Sequence, residues 1–155
     1  MVVDSDRESA VRLSEVIAGF SPGYEVLSAC SGLEGVQKIE NGVVNIVLAA
    51  EKLMDMTGTT FINILWSLKK FIKKEPVCVL MTDNKKRIKT AAFEGAASFD
   101  VIRCPVDPDA LAYVLNRAME LDVLNGKIEF NKLIWRVLLG LTPVAIVVGV
   151  VLGKG

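Results

Sequence analysis

Apolar positions along the chain alternate between short unbroken runs and a three-and-four spacing, until about residue 133, where polar positions almost cease. Val2-Val3 is a short apolar run closed by polar "DSDRES". Behind it Ala10, Val11, Leu13, Val16 and Ile17 recur at helical spacing to about Gly19, and Ser5 with Glu8 has the spacing of a capping box. "SPG" turns the chain, "YEVLSA" alternates as a strand, and Ser31 with Glu34 predicts the cap of a second helix that Asn41-Gly42 stops. "VNIVLAAEKLMDMTG", Val44 to Gly58, starts as a third, buried strand and ends as a loop. "TTFINILWSLKKFIKK" then places Phe61, Ile64, Leu65, Leu68 and Phe71 on one helix face with lysines opposite. The all-apolar "PVCVLM" reads as a strand covered on both faces, "NKKRIKTAAFEGA" as a basic amphipathic helix and "SFDVI" as a fifth strand. Asp107-Pro108 reads as N-cap and first residue of a fifth helix, from about Asp109 to Leu121. Strands alternating with helices in this way predict an α/β, doubly wound parallel sheet.

The tail breaks that rhythm. From Leu133 to Leu152 the only charge is Arg136, and about 20 such residues span the hydrocarbon core of a bilayer. A buried core helix or a sixth strand is the competing reading, but the globular fold is already complete without this segment, which would otherwise expose a large apolar patch. The segment is therefore predicted to be a C-terminal transmembrane helix, with Trp135 and Arg136 at the membrane interface, the arginine snorkelling to the headgroups. Lys127, Lys132 and Arg136 precede or open the span and only Lys154 follows it, which predicts a single-pass protein of the cell inner membrane with its N-terminal domain cytoplasmic. Ala145, Gly149 and Gly153 form a strip of small residues suited to close packing against another membrane helix, and Pro143 is expected to bend the helix. The predicted division is a domain at 1–121, a linker at 122–132 jointed at Gly126, the membrane helix at 133–152 and a tail at 153–155.

Composition narrows the chemistry. The 18 basic residues balance the 18 acidic ones, and no basic run is interleaved with aromatics, so nucleic acid is not an expected partner. There is no histidine, which removes histidine acid/base and triad chemistry. Cys30, Cys78 and Cys104 are odd in number and widely spaced, which predicts reduced thiols and neither a disulfide framework nor a zinc site. The opening Met1-Val2-Val3-Asp4 lacks the basic and apolar regions of a secretory signal.

The order of elements, together with "VVDSDRES", "VNIVLAAEKLMDMTG", "PVCVLMTD" and "GAASFDVIRCPVDPDAL", resembles the receiver domain of response regulators, over about Val2 to Leu121. The resemblance implies a flavodoxin-like (βα)5 domain with sheet order 2-1-3-4-5 and a cis Cys104–Pro105 peptide. It also implies a site in which a third-strand carboxylate takes a phosphoryl group. Two first-strand acids help it to hold a divalent cation, a fourth-strand hydroxyl follows the phosphoryl oxygens, and a lysine on the fifth strand pairs with them. Carried onto this chain, those positions fall on Ala50 for the phosphoacceptor, Asp4 and Ser5 for the acids, Met81 for the hydroxyl and Cys104 for the lysine. Only Asp4 keeps its chemistry. Alanine has no nucleophilic oxygen, so the site is read as emptied, with no catalytic residue, no metal and no cofactor.

The other polar residues near that site carry less. Glu51 is expected to be a solvated loop carboxylate, although it also suits a permanent mimic of the phosphorylated aspartate. Asp55 lacks a cation or lysine to help it accept phosphate, and Cys104 is expected to be a small buried hydrophobe. The lysines and arginine at Lys85, Lys86, Arg87 and Lys89, with Lys69, Lys70, Lys73 and Lys74, read as a solvated basic face or as a surface for lipid headgroups or an acidic partner. The expectation is a non-enzymatic, tail-anchored pseudo-receiver. Its partners would be membrane lipid and an integral membrane protein complex or membrane-bound signalling protein, in which it is an adaptor or accessory subunit. By the resemblance, such partners would meet the surface around Lys85 to Lys89 and Ala110 to Arg117. Two readings compete with it: a phosphorylation- or Mg-dependent switch using Asp4, Asp6 and Glu51 or Asp55, and a ligand or redox sensor at the emptied pocket using Cys104.

Overall fold

The computed structural model describes residues 1–20, 23, 25–83 and 99–152, with residues 99, 129 and 135–152 described by backbone alone. The elements in chain order are β1 (Val2–Val3), α1 (Arg7–Phe20), β2 (Ser28–Ala29), α2 (Gly32–Asn41), β3 (Ile46–Ala50), α3 (Gly58–Ser67), β4 (Val77–Thr82), β5 (Phe99–Arg103) and α4 (Pro108–Leu152). The strands form a parallel sheet in the order β2-β1-β3-β4-β5, as expected. The predicted basic helix at 84–96 lies outside the described residues.

Strand alternation divides the core into two layers. Val3, Val47, Ala49, Cys78 and Leu80 face Ile39, Phe61, Ile62 and Leu65 of α2 and α3. Val2, Leu48, Val79, Met81 and Ile102 face Ala10 and Ile17 of α1 and Leu111, Val114 and Leu115 of α4. Every residue of β4 is buried, which is why its sequence is an unbroken apolar run ending in Thr82. Two tight contacts set the spacing of the layers. A Cβ on Gly58 would stand 2.2 Å from the Ala50 carbonyl oxygen, and one on Gly35 would stand 3.0 Å from the Phe61 ring.

Several local expectations are corrected. Asp6, not Ser5, caps α1: its carboxylate accepts from the Glu8 amide at 3.1 Å and its carbonyl from the Ala10 amide at 3.0 Å. Asp4 accepts in turn from the Asp6 amide at 3.0 Å, so acid and cap follow each other and the helix starts one turn position later than the Ser5-Glu8 spacing implies. The third helix stops at Ser67. The chain then turns through Leu68, with the amides of Phe71 and Ile72 bonded to the Leu68 carbonyl. This carries Ile72 into the core and leaves Phe71, expected on the buried face, 78% exposed.

Other ends match. Ser31 Oγ accepts from the Glu34 amide at 3.2 Å, α2 ends at Asn41 before Gly42, and the Asp107 carboxylate accepts from the Ala110 amide at 3.0 Å. The Cys104–Pro105 peptide is cis.

The chain divides into two compact units, Met1–Asp122 and Val123–Gly155. Gly126, expected as a joint, lies within a helical stretch of backbone, Pro108–Leu152. One glycine costs a helix about 1 kcal/mol against alanine, which a stretch that also holds Leu124, Lys127 and Lys132 absorbs. Among the described residues no helix is long and apolar enough to cross a membrane. The side chains of 135–152, on which the predicted span, Trp135, Arg136, Ala145 and Gly149 depend, lie outside the described residues, as does Gly153.

Candidate functional site

Ala50, Met81 and Cys104, the positions to which the resemblance points, lie at the carboxyl end of the sheet, where open α/β folds place their ligands. Ala50 pairs with Met81 across β3 and β4, and Met81 with Ile102 across β4 and β5. Ala50, Met81 and Cys104 all join the apolar layer against α1 and α4, with Met81 only 2% exposed. Where a nucleophile, a switch hydroxyl and a lysine would converge, the structure has packed hydrocarbon and sulfur.

The polar groups lie one residue further along. Thr82, 1% exposed, donates its hydroxyl to Glu51 Oε2, and the Glu51 amide donates to the Met81 carbonyl at 2.8 Å. Glu51 does point away from Ala50, as alternation requires. It is not the solvated loop carboxylate expected, because that direction brings it onto Thr82. The acid–hydroxyl pair is thus displaced by one position on both strands from the pair the resemblance implies. The resemblance assigns the hydroxyl position to Met81, whereas the hydroxyl itself stands one residue on, at Thr82.

Ser5 and Asp55 brace the loop that carries Glu51. Ser5 Oγ donates to the Lys52 carbonyl at 3.2 Å. The Asp55 carboxylate accepts from the amides of Gly32 and Leu33 at 2.8 and 2.9 Å, closing the amino end of α2. Those two amide bonds, Leu33 first, hold the Asp55 carboxyl below the ordinary carboxylate range. Asp55 thus clamps the amino end of α2 to the loop. The Glu51 carbonyl accepts from the Gly58 amide at 2.9 Å, and Thr57 caps α3 by accepting from the Thr60 amide at 3.1 Å.

This donor set does not fit the divalent cation that the resemblance implies. Asp4 spends one carboxylate oxygen on the Asp6 amide, Ser5 turns its hydroxyl to Lys52, and Ala50 offers no oxygen. Among the described residues no group of three or more Cys, Asp or Glu is gathered as a metal site. Burial, followed by the negative charges of Asp4, Asp83 and Glu51, pushes the Cys104 thiol up. Such surroundings suppress the thiolate, the reactive form. Cys78 is pushed up to about 12, chiefly by burial.

A second concavity of about 540 Å³ lies between β5 and the first turns of α4, lined by Arg103, Cys104, Asp107, Ala110, Tyr113 and Arg117 among others. Arg117 bonds Asp100 across it at 3.0 Å, and Tyr113 is 67% exposed. This is the described part of the expected partner face; Lys85, Lys86, Arg87 and Lys89 lie outside the described residues.

No family model matches the chain. It is 28% identical over 119 residues to the transcriptional regulatory protein ZraR of Klebsiella oxytoca, across 77% of the chain but only 26% of ZraR, so it spans about a quarter of that protein's length. A response-regulator receiver domain protein (CheY-like) from Methanospirillum hungatei JF-1 superposes with a TM-score of 0.65 at 27% identity, covering 80% of this chain and 94% of that one. The receiver domain of an HD domain-containing protein from Pseudomonas fluorescens Pf-5 gives 0.67 at 20% identity, covering 81% and 89%.

Proposed function

We propose, from the premise that residues 1–122 form a response-regulator receiver-type domain, a signalling module, that this chain is a pseudo-receiver working through protein contacts and not through phosphoryl transfer. The observation that carries this reading is the site itself: Ala50 and Met81 packed as hydrocarbon, with Glu51 already bonded to Thr82 beside them. In a receiver that switches, a phosphoryl group arrives and a β4 hydroxyl moves to meet it. Here Glu51 already holds a β4 hydroxyl, which supports a module that does not wait for a phosphoryl group.

The second part of the proposal is location. The run from Leu133 to Leu152 supports a single-pass anchor in the inner membrane with the receiver-type domain cytoplasmic, and the small strip Ala145, Gly149 and Gly153 suits packing against a helix of an integral membrane complex. In that assembly the chain is a non-enzymatic adaptor or accessory subunit. The concavity beside Ala110, Tyr113 and Arg117 is the side offered to a protein partner.

Intact mass of the purified full chain after incubation with Mg²⁺ and acetyl phosphate tests the first part. An unchanged mass is expected. A covalent phosphoryl adduct, mapped to Asp4, Glu51 or Asp55, overturns it in favour of a displaced switch. The raised Cys104 thiol argues against a redox sensor, which needs an accessible thiolate.

A further inference from the structure

Residues 66–75, "WSLKKFIKKE", form the turn between α3 and β4, at the opposite end of the sheet from the emptied pocket. Four lysines and one glutamate concentrate positive charge there in a chain that is neutral overall. Because α3 stops early, Ile72 anchors the turn in the core while Lys69, Lys70, Phe71 and Lys73 are all exposed. Lys69 stands 4.5 Å over the Trp66 ring, and Lys73 reaches the Asn41 carbonyl at 3.4 Å, bringing the loop that carries exposed Val43 alongside. Leaving Phe71 in water forgoes about 2 kcal/mol of burial, yet the local fold turns it outward.

The position of this patch says what covers it. Lys74 Nζ lies 2.8 Å from the carboxylate oxygens of Asp122, the last residue of the first unit, and Asn45 adds a bond to Asp122 at 3.1 Å. The chain therefore leaves the domain beside the patch. Only ten residues, 123–132, separate that point in sequence from the apolar run at 133.

We infer that the turn Trp66–Lys74 docks on the anionic lipid surface of the membrane that holds the C-terminal segment, its lysines at the headgroups and Phe71 entering the acyl boundary. The inference rests on the anchored reading proposed above. An aromatic between lysines matches the boundary of a bilayer, where apolar and anionic layers adjoin. A short tether keeps the patch at high effective concentration near the surface, so a few lysines suffice where a free neutral protein would not bind.

The test uses the full chain reconstituted into vesicles of phosphatidylcholine alone or with one-third phosphatidylglycerol. Alkaline washing scores anchorage, and hydrogen exchange of the 68–74 amides scores docking. The expected result is alkali-resistant insertion in both, with exchange of the turn slowed about tenfold in anionic vesicles only. Both Phe71→Ser and the triple change Lys69→Glu, Lys70→Glu, Lys73→Glu should remove the slowing without altering exchange in β4. Insertion in both with equal exchange overturns the docking and leaves the anchor intact. Removal by alkali from both contradicts the anchor; lysine-dependent flotation on anionic vesicles would then sustain the patch alone, and its absence overturns both.

Discussion

At the scale of single residues the molecule is defined by what Ala50 and Glu51 do in adjacent positions. Ala50 sits against Met81 in the apolar layer, and Glu51 holds Thr82. Replacing Ala50 by Asp would set a carboxylate in a partly buried position beside Met81, with Cys104 where a compensating lysine would have to stand; a loss of about 1–2 kcal/mol in urea denaturation is expected, with no gain of phosphoryl transfer. Glu51→Ala removes a charge-assisted bond to a buried hydroxyl and should cost about 1–3 kcal/mol by the same measurement. How legible this was differs residue by residue. Ala50, Met81 and Cys104 follow from the receiver resemblance, counted onto this chain from Gly58, Pro76 and Pro105. The Glu51–Thr82 pair does not, because it depends on which face each side chain takes where a strand gives way to a loop. Asp55 was equally hidden: its partners are amides of α2, more than twenty residues away in the chain.

At the scale of elements, strands were the most legible, because unbroken Val and Ile runs leave few alternatives, and helix ends were the least. The fifteen or so residues from Thr59 keep a helical apolar period, but Ile72 and Phe71 compete for the same core place, and the turn after Ser67 settles it for the residue that fits under β4. The loop after β3 depends on close approach, so Gly58→Ala, which sets a methyl group against the Ala50 carbonyl, is expected to lower stability by about 1–3 kcal/mol. The same loop gives a pH signature. Asp55 and Glu34 both titrate below the ordinary carboxylate range, Asp55 through the Leu33 and Gly32 amides and Glu34 chiefly through Lys38. A depressed folded pKa adds stability that is complete above the unfolded value and is lost as pH falls through the folded one. Thermal stability should thus fall on acidification below the ordinary carboxylate pKa, and Asp55→Asn should flatten that fall. An unchanged acid profile in the variant would remove Asp55 from the account. At Gly126 nothing stands within 4 Å of an added Cβ, so Gly126→Ala should slow local amide exchange by strengthening the helix, whereas a hinge there would show faster or unchanged exchange.

At the scale of the whole molecule, the two ends of the sheet have separate tasks in the proposed account. Among the described residues the carboxyl end holds Ala50 and Met81 in the apolar layer and the Glu51–Thr82 bond. The amino end carries the Lys74–Asp122 contact where the chain leaves the domain, and the basic aromatic turn beside it. Fold class was readable because a βα alternation constrains topology strongly, and the sheet order followed from the receiver resemblance. The exposed Phe71 was not, because exposure follows from where a helix stops and not from its period. The most direct test of a membrane-held adaptor is purification of the full chain from its native membrane in mild detergent, with the co-migrating proteins identified by mass. The account predicts stoichiometric recovery with an integral membrane complex, lost when 133–152 is deleted. Recovery of the full chain alone, or in the soluble fraction, would contradict it.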